Sequence, residues 1–136
     1  TSRMRNVDAF GTLVAGMMAY PSYQLIIVDS LTPVLAHTTT DMVLDYFEHC
    51  KRICDAGRTV INIGHTYSFD EQVLIRIRSA CDAHFRLRIE EVGDKLVKGL
   101  EVSKVRGACK TTGNIMSFDV DPGQGMKIMP IGRAKA

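Results

Sequence analysis

At 136 residues, 46% of them hydrophobic and 24% charged, the chain holds enough apolar mass for a real core and is too hydrophobic for disorder. Its formal net charge of +2, carried by dispersed Lys and Arg, is too small to imply nucleic-acid or membrane binding. No apolar stretch approaches a membrane span and no signal-peptide pattern opens the chain, so a soluble cytoplasmic protein is the default expectation.

Met4, Val7, Phe10, Leu13, Val14, Met17 and Met18 recur at helical spacing and predict a helix over 3–19, stopped by Pro21-Ser22. That helix starts almost at once in a chain opening on Thr1 rather than Met, which suits the later part of a longer protein. Leu25-Ile26-Ile27-Val28 then predicts a strand buried on both faces, and it stops at a carboxylate, Asp29. A polar Thr38-Thr39-Thr40 cluster is suited to cap a second helix, whose apolar face is Val43, Tyr46, Phe47, Cys50, Ile53 and Cys54 and whose C-terminal cap is Gly57. Thr59 to Gly64 reads as a second buried strand ending at His65. Strand, helix and strand together predict a parallel unit with a right-handed crossover.

Ser68 followed three residues later by Glu71 is a capping-box pattern, opening a helix through Val73, Leu74, Ile77 and Ala80. From His84 the period changes to two. Phe85, Leu87 and Ile89 alternate with Arg86, Arg88 and Glu90, and Val92-Gly93-Asp94-Lys95 turns the chain into a half-exposed strand from Leu96 to about Val105. Short strands at 115–120 and 126–131 flank the hairpin segment Asp121-Pro122-Gly123-Gln124-Gly125. The expected sheet is parallel first and antiparallel at its end, within one domain over 1–136 that shows no repeat or linker. Of the four cysteines, Cys50 and Cys54 share a helix face while Cys81 and Cys109 stand alone. No C-x-x-C motif exists, and small buried thiols are the expectation.

Polar residues collect at strand ends. Asp29 emerges where open α/β sheets bind ligands, and His65 ends the next strand. Alternation along the later strand places Lys104 and Arg106 on one face. Singly, each has an ordinary explanation as a turn residue, a hydrogen-bonded loop histidine or a solvated strand face.

Taken in order, Leu25 to Ser30, Thr59 to His65 and Lys104-Val105-Arg106-Gly107 resemble the later half of a RecA-like ATPase core of the KaiC type. The segment from Lys104 to Asn114 and the ending Phe118-Asp119-Val120-Asp121-Pro122-Gly123 are similar to the FlaH family, the ATP-binding accessory subunits of the archaeal motility motor. The resemblance implies an α/β RecA-like P-loop NTPase core, a parallel sheet flanked by helices with antiparallel strands at the C-terminal end. It makes Asp29 the Walker B carboxylate, holding Mg2+ through water, with a hydroxyl hydrogen bond from Ser30 beside it. His65 takes the sensor position, facing a γ-phosphate or an ordered water. Lys104 and Arg106 become phosphate contacts to the nucleotide of an adjacent subunit, which requires a homo-oligomeric ring. The implied ligands are ATP and Mg2+, with weak or no hydrolysis. The implied partners are a FlaI-like motor ATPase and a membrane-anchored, FlaX-like scaffold, at a cytoplasmic site on the membrane-bound motor.

The chain departs from this family in one large respect. No G-x-x-x-x-G-K-[ST] loop occurs in it, so the phosphate-holding portion, with its strand between those of His65 and His84–Ile89, is missing from these residues. Its loss leaves hydrophobic strand edges unpaired. Two alternatives stand beside this expectation. A RecA-like DNA-dependent ATPase needs basic, flexible DNA-contacting loops after the sensor strand, and the connection from His65 to Ser68 is too short for one. A degenerate ATPase fold serving as a docking scaffold needs no nucleotide at all.

Overall fold

The structure, a computed structural model, describes residues 8–35, 38–108 and 115–129. Met4 and Val7, the segment from Cys109 to Asn114, and the chain beyond Met129 lie outside the described residues. Two compact units divide the chain, residues 1–81 and 82–136.

In the first unit, α1 (Ala9–Ala19), β1 (Leu25–Asp29), α2 (Thr32–Leu35), α3 (Thr40–Asp55), β2 (Thr59–Ile63) and α4 (Glu71–Ala80) follow in order. β1 and β2 pair in parallel, from Leu25 opposite Thr59 to Asp29 opposite Ile63, with α3 as the crossover between them. Thr39 caps α3 by accepting a hydrogen bond from the Met42 N–H. Gly57 closes it, at a φ of +98° that a side chain would disfavour, with its N–H on the Cys54 carbonyl at 2.9 Å. At α4 the cap differs from the expected capping box. Ser68 is taken up in a 3-10 turn (Thr66–Ser68), and Asp70 accepts the Gln72 N–H at 3.0 Å instead. Asp70 is extended and directly adjoins the first helical residue, so it reaches the unpaired N–H groups that Ser68 cannot.

The end of α1 is satisfied from a distance. The Arg58 guanidinium, just before β2, donates to the carbonyls of Met17 at 2.9 Å, Tyr20 at 3.2 Å and Tyr23 at 2.8 Å. It thereby ties the helix terminus to the sheet and satisfies carbonyls that the helix leaves unpaired. Arg58→Ala is expected to lower the unfolding free energy by about 1–2 kcal/mol, read as a lower urea midpoint, and Arg58→Lys to recover only part of it. An unchanged midpoint in the alanine variant would remove Arg58 from this role.

The core joins Phe10 and Met17 of α1, Leu31, Val43, Tyr46, Phe47, Cys50 and Ile53 of the predicted α3 face, and Val73 and Ile77 of α4. Ile26, Val28 and Val60 pack against it. The expectation that Leu25 to Val28 is buried on both faces, with Thr59 to Gly64 as a second buried strand, is corrected, because Leu25 and Ile27 are 52% and 57% exposed and Ile61 and Ile63 are exposed with them. The helical core lies against one face of the two-stranded sheet, and strand alternation sends every second aliphatic to the other. Cys50 is buried in this core, and burial pushes its thiol up from the ordinary range. Cys54 and Cys81 are half-buried.

The second unit is an antiparallel sheet of β3 (Ala83–Val92), β4 (Lys95–Val105), β5 (Ile115–Asp121) and β6 (Gly125–Met129), in that spatial order. The hairpin before Gly125 is fixed by the Asp121 carboxylate, which accepts the Gly123 N–H at 2.7 Å and the Gln124 N–H at 3.1 Å. Phe85, Leu87 and Ile89 share one face of β3 and are exposed. The parallel and antiparallel strands form two sheets rather than one. Among the described residues β2 pairs with β1 alone and β3 with β4 alone, the two strands between which the resemblance places a further strand.

Candidate functional site

Parallel pairing puts the carboxyl ends of β1 and β2 side by side, which brings Asp29 and His65 to one end of the sheet. The ladder continues one step beyond the strands, with the Leu31 N–H on the Ile63 carbonyl at 2.8 Å. Asp29 is exposed, Ser30 half-buried and Leu31 fully buried, so a buried leucine anchors the segment while the carboxylate stays in solvent. The Asp29–Ser30 peptide bond is cis. Gly64 makes a close approach possible at the end of β2, since a Cβ there would lie 2.9 Å from the Phe69 ring.

The two strand ends are also joined by a side chain. Thr32 Oγ1 accepts the backbone N–H of His65 at 3.1 Å and lies 2.8 Å from its Nδ1. On the ring's face, Tyr67 stacks at a centroid distance of 5.2 Å and an interplanar angle of 29°. Neither Thr32 nor Tyr67 has a signal in the sequence that assigns it to the site. A hydroxyl 33 residues before an imidazole meets it only because parallel register aligns the two connections.

Lys104 and Arg106 belong to the second unit. Lys104 is half-buried on β4 opposite His84, beside a register shift between His84 and Phe85. β4 ends at Val105, and Arg106 lies in the turn that follows, so the expected strand alternation does not extend from Lys104 to Arg106. Gly107, at a φ of +78°, takes the chain out of the strand direction there. The Arg106 N–H donates to the Asp82 carbonyl at 2.7 Å and its guanidinium pairs with the Asp82 carboxylate at 3.0 Å. Both contacts hold Arg106 at the base of β3.

Among the described residues no three His, Cys, Asp or Glu side chains converge to cage a metal. A lone exposed carboxylate with a neighbouring hydroxyl fits only a cation that keeps most of its own waters, as Mg2+ does. Among the described residues no helix is long and apolar enough to cross a membrane.

No family model matches the chain. It is 27% identical over 124 residues to the archaeal flagellar ATP-binding protein FlaH of Sulfolobus acidocaldarius, an alignment covering 91% of this chain and 54% of that protein. The crystal structure of the flagellar accessory protein FlaH from Methanocaldococcus jannaschii superposes with a TM-score of 0.70 at 22% identity, over 90% of this chain and 54% of the other. A KaiC-like protein from Pyrococcus horikoshii OT3 gives a TM-score of 0.66 at 15% identity, over 92% and 55%. The fold is that of FlaH and KaiC-like proteins. It is the RecA-like α/β fold with parallel and antiparallel strands that the resemblance implied. The chain spans about half the length of the curated relative it matches.

Proposed function

We propose that these residues form the Walker B and sensor half of a nucleotide site in an ATP-binding accessory protein of the archaeal motility apparatus, similar to FlaH. The observation that carries this reading is the meeting of Asp29 and His65 at adjacent strand ends, inside a chain similar to a flagellar ATP-binding protein over 91% of its length. Asp29 would hold Mg2+ through its waters, with a hydroxyl hydrogen bond from Ser30 beside it, and that ion would neutralise phosphate charge. His65 would report on the terminal phosphate, and polypeptide outside these 136 residues would supply the phosphate-binding loop.

On this reading the protein is a switch with weak or no hydrolysis, as fits a subunit whose states are read by partners. The partners we propose are a FlaI-like motor ATPase and a membrane-anchored, FlaX-like scaffold, with the protein on the cytoplasmic side and assembled as a homo-oligomer. Lys104 and Arg106 are the proposed contacts to a neighbouring subunit's nucleotide. A DNA-dependent ATPase is a weaker reading, since Gly64 to Asp70, between β2 and α4, leaves little chain for a DNA-contacting loop.

The test is calorimetric titration of the polypeptide carrying both this chain and its phosphate-binding loop with ATP, with and without Mg2+. Binding that tightens with Mg2+ supports the reading, and no binding in either condition favours a nucleotide-free scaffold. For the contact between subunits, Arg106→Ala is expected to disturb assembly or turnover while leaving nucleotide affinity of the isolated subunit within about twofold, because an exposed ion pair contributes little to one subunit. Affinity loss in a strictly monomeric preparation would argue against a role across subunits.

A further inference from the structure

The hydroxyl of Thr32 is poised to decide how His65 presents itself. It has one proton to donate and two lone pairs. One lone pair is taken by the backbone N–H of His65 at 3.1 Å. The contact to Nδ1 at 2.8 Å is then made in one of two ways. If Nδ1 carried the proton, the ring would donate and the hydroxyl proton would have no partner among the described residues. If Nδ1 is bare, the hydroxyl donates to it and only a second lone pair is left over, a smaller loss than an unpaired donor. A hydroxyl rotates freely to the better arrangement, so the second is favoured. Among the described residues Nε2 makes no hydrogen bond.

From this we infer that Thr32 is a positioning residue: its hydroxyl holds neutral His65 in the tautomer with the proton on Nε2, offering an N–H donor to an anionic oxygen such as a terminal phosphate. Tyr67 supports the ring's orientation by stacking on it. The backbone bond from His65 to the same hydroxyl makes the arrangement doubly determined, because ring and main chain are held to one atom. Thr32 begins α2, directly after the segment that carries Asp29 and Ser30, so its hydroxyl ties that segment to His65 beside the Leu31-to-Ile63 backbone bond. This rests on reading the site as one for nucleotide, yet its first test needs no nucleotide.

Nitrogen-15 spectra of labelled His65 in the full polypeptide, recorded without nucleotide and well above the ordinary imidazole range, read the tautomer directly. The expected wild-type result is a proton on Nε2 and an Nδ1 resonance displaced from that of free imidazole by the hydrogen bond it accepts. In Thr32→Val, nearly the same shape without the hydroxyl, Nδ1 is expected to move to the free-imidazole position, and Thr32→Ser is expected to restore it. A protonated Nδ1 in the wild type would overturn the inference, whatever the variants do. So would an Nδ1 resonance that Thr32→Val leaves unchanged. With nucleotide, Thr32→Val is expected to reduce the preference for ATP over ADP by roughly three- to tenfold, the worth of one hydrogen bond, with dependence on Mg2+ retained. If the polypeptide binds no nucleotide, the functional reading fails while the spectra still decide the role of Thr32.

Discussion

Asp29→Asn is expected to weaken Mg2+-dependent ATP binding by roughly ten- to hundredfold, the range for losing a charged partner. Asparagine keeps the shape and one oxygen but removes the charge that orients the waters of a hard cation. The fold should survive, because Asp29 is exposed and its carboxylate makes no hydrogen bond or ion pair among the described residues. The check is paired, with ATP titrations at several Mg2+ concentrations beside a urea unfolding curve without nucleotide. An unaltered Mg2+ dependence would sink the Walker B assignment. Weaker binding with an equally weakened fold would show that the carboxylate serves the strand end instead.

The largest expected loss of stability is at Tyr46. Only 1% of its surface is exposed, and its ring meets Phe10 at 4.6 Å and Phe47 at 5.5 Å. Its hydroxyl donates to Asn62 Oδ1 at 2.7 Å, joining α3 to β2. Tyr46→Ala should therefore destabilise by about 3–5 kcal/mol, through lost contacts and the cavity left behind. Tyr46→Phe should cost only about 1–2 kcal/mol, since it keeps the ring and strands one acceptor. Denaturant midpoints separate the two contributions, and equal losses would mean that the hydrogen bond, not packing, dominates.

Tyr46 also predicts the alkaline limit of the fold. Burial, with a smaller contribution from Cys50, pushes its phenol far above the ordinary value of 10.0. A raised value in the folded state means that the neutral phenol is favoured there, so its contribution is complete below about pH 10 and is lost as pH rises above that value. Unfolding free energy should fall by up to about 1.4 kcal/mol per pH unit from this one group above pH 10. Tyr46→Phe should be shallower by that amount. Equal slopes in the two proteins would place the alkaline transition elsewhere.

Much of the second unit was readable because its signals are local. A two-residue period in Phe85, Leu87 and Ile89, and an Asp-Pro-Gly turn, act over a few residues, and the strands and hairpin lie where they point. The same holds for the apolar face of α3 and its Gly57 cap. The capping box at Ser68 misled because a 3-10 turn competes for the same residue. The reading of Leu25 to Val28 as buried on both faces failed for another reason. An aliphatic run reports hydrophobicity, whereas burial depends on which elements cover each face.

The candidate site divides the same way. Asp29 and His65 were visible as polar residues ending apolar strands, a pattern written into local order. That Thr32 grips His65, that Arg106 leaves the strand and pairs with Asp82, and that Arg58 caps a helix about 40 residues earlier were not visible. By itself the sequence determined periodicity, turns, strand ends and the likeness to a RecA-like core. Only the tertiary structure decided which strand ends adjoin, which faces are covered and which side chains meet. Local preferences act between near neighbours along the chain, but those contacts join residues dozens of positions apart whose approach is set by strand register and helix packing.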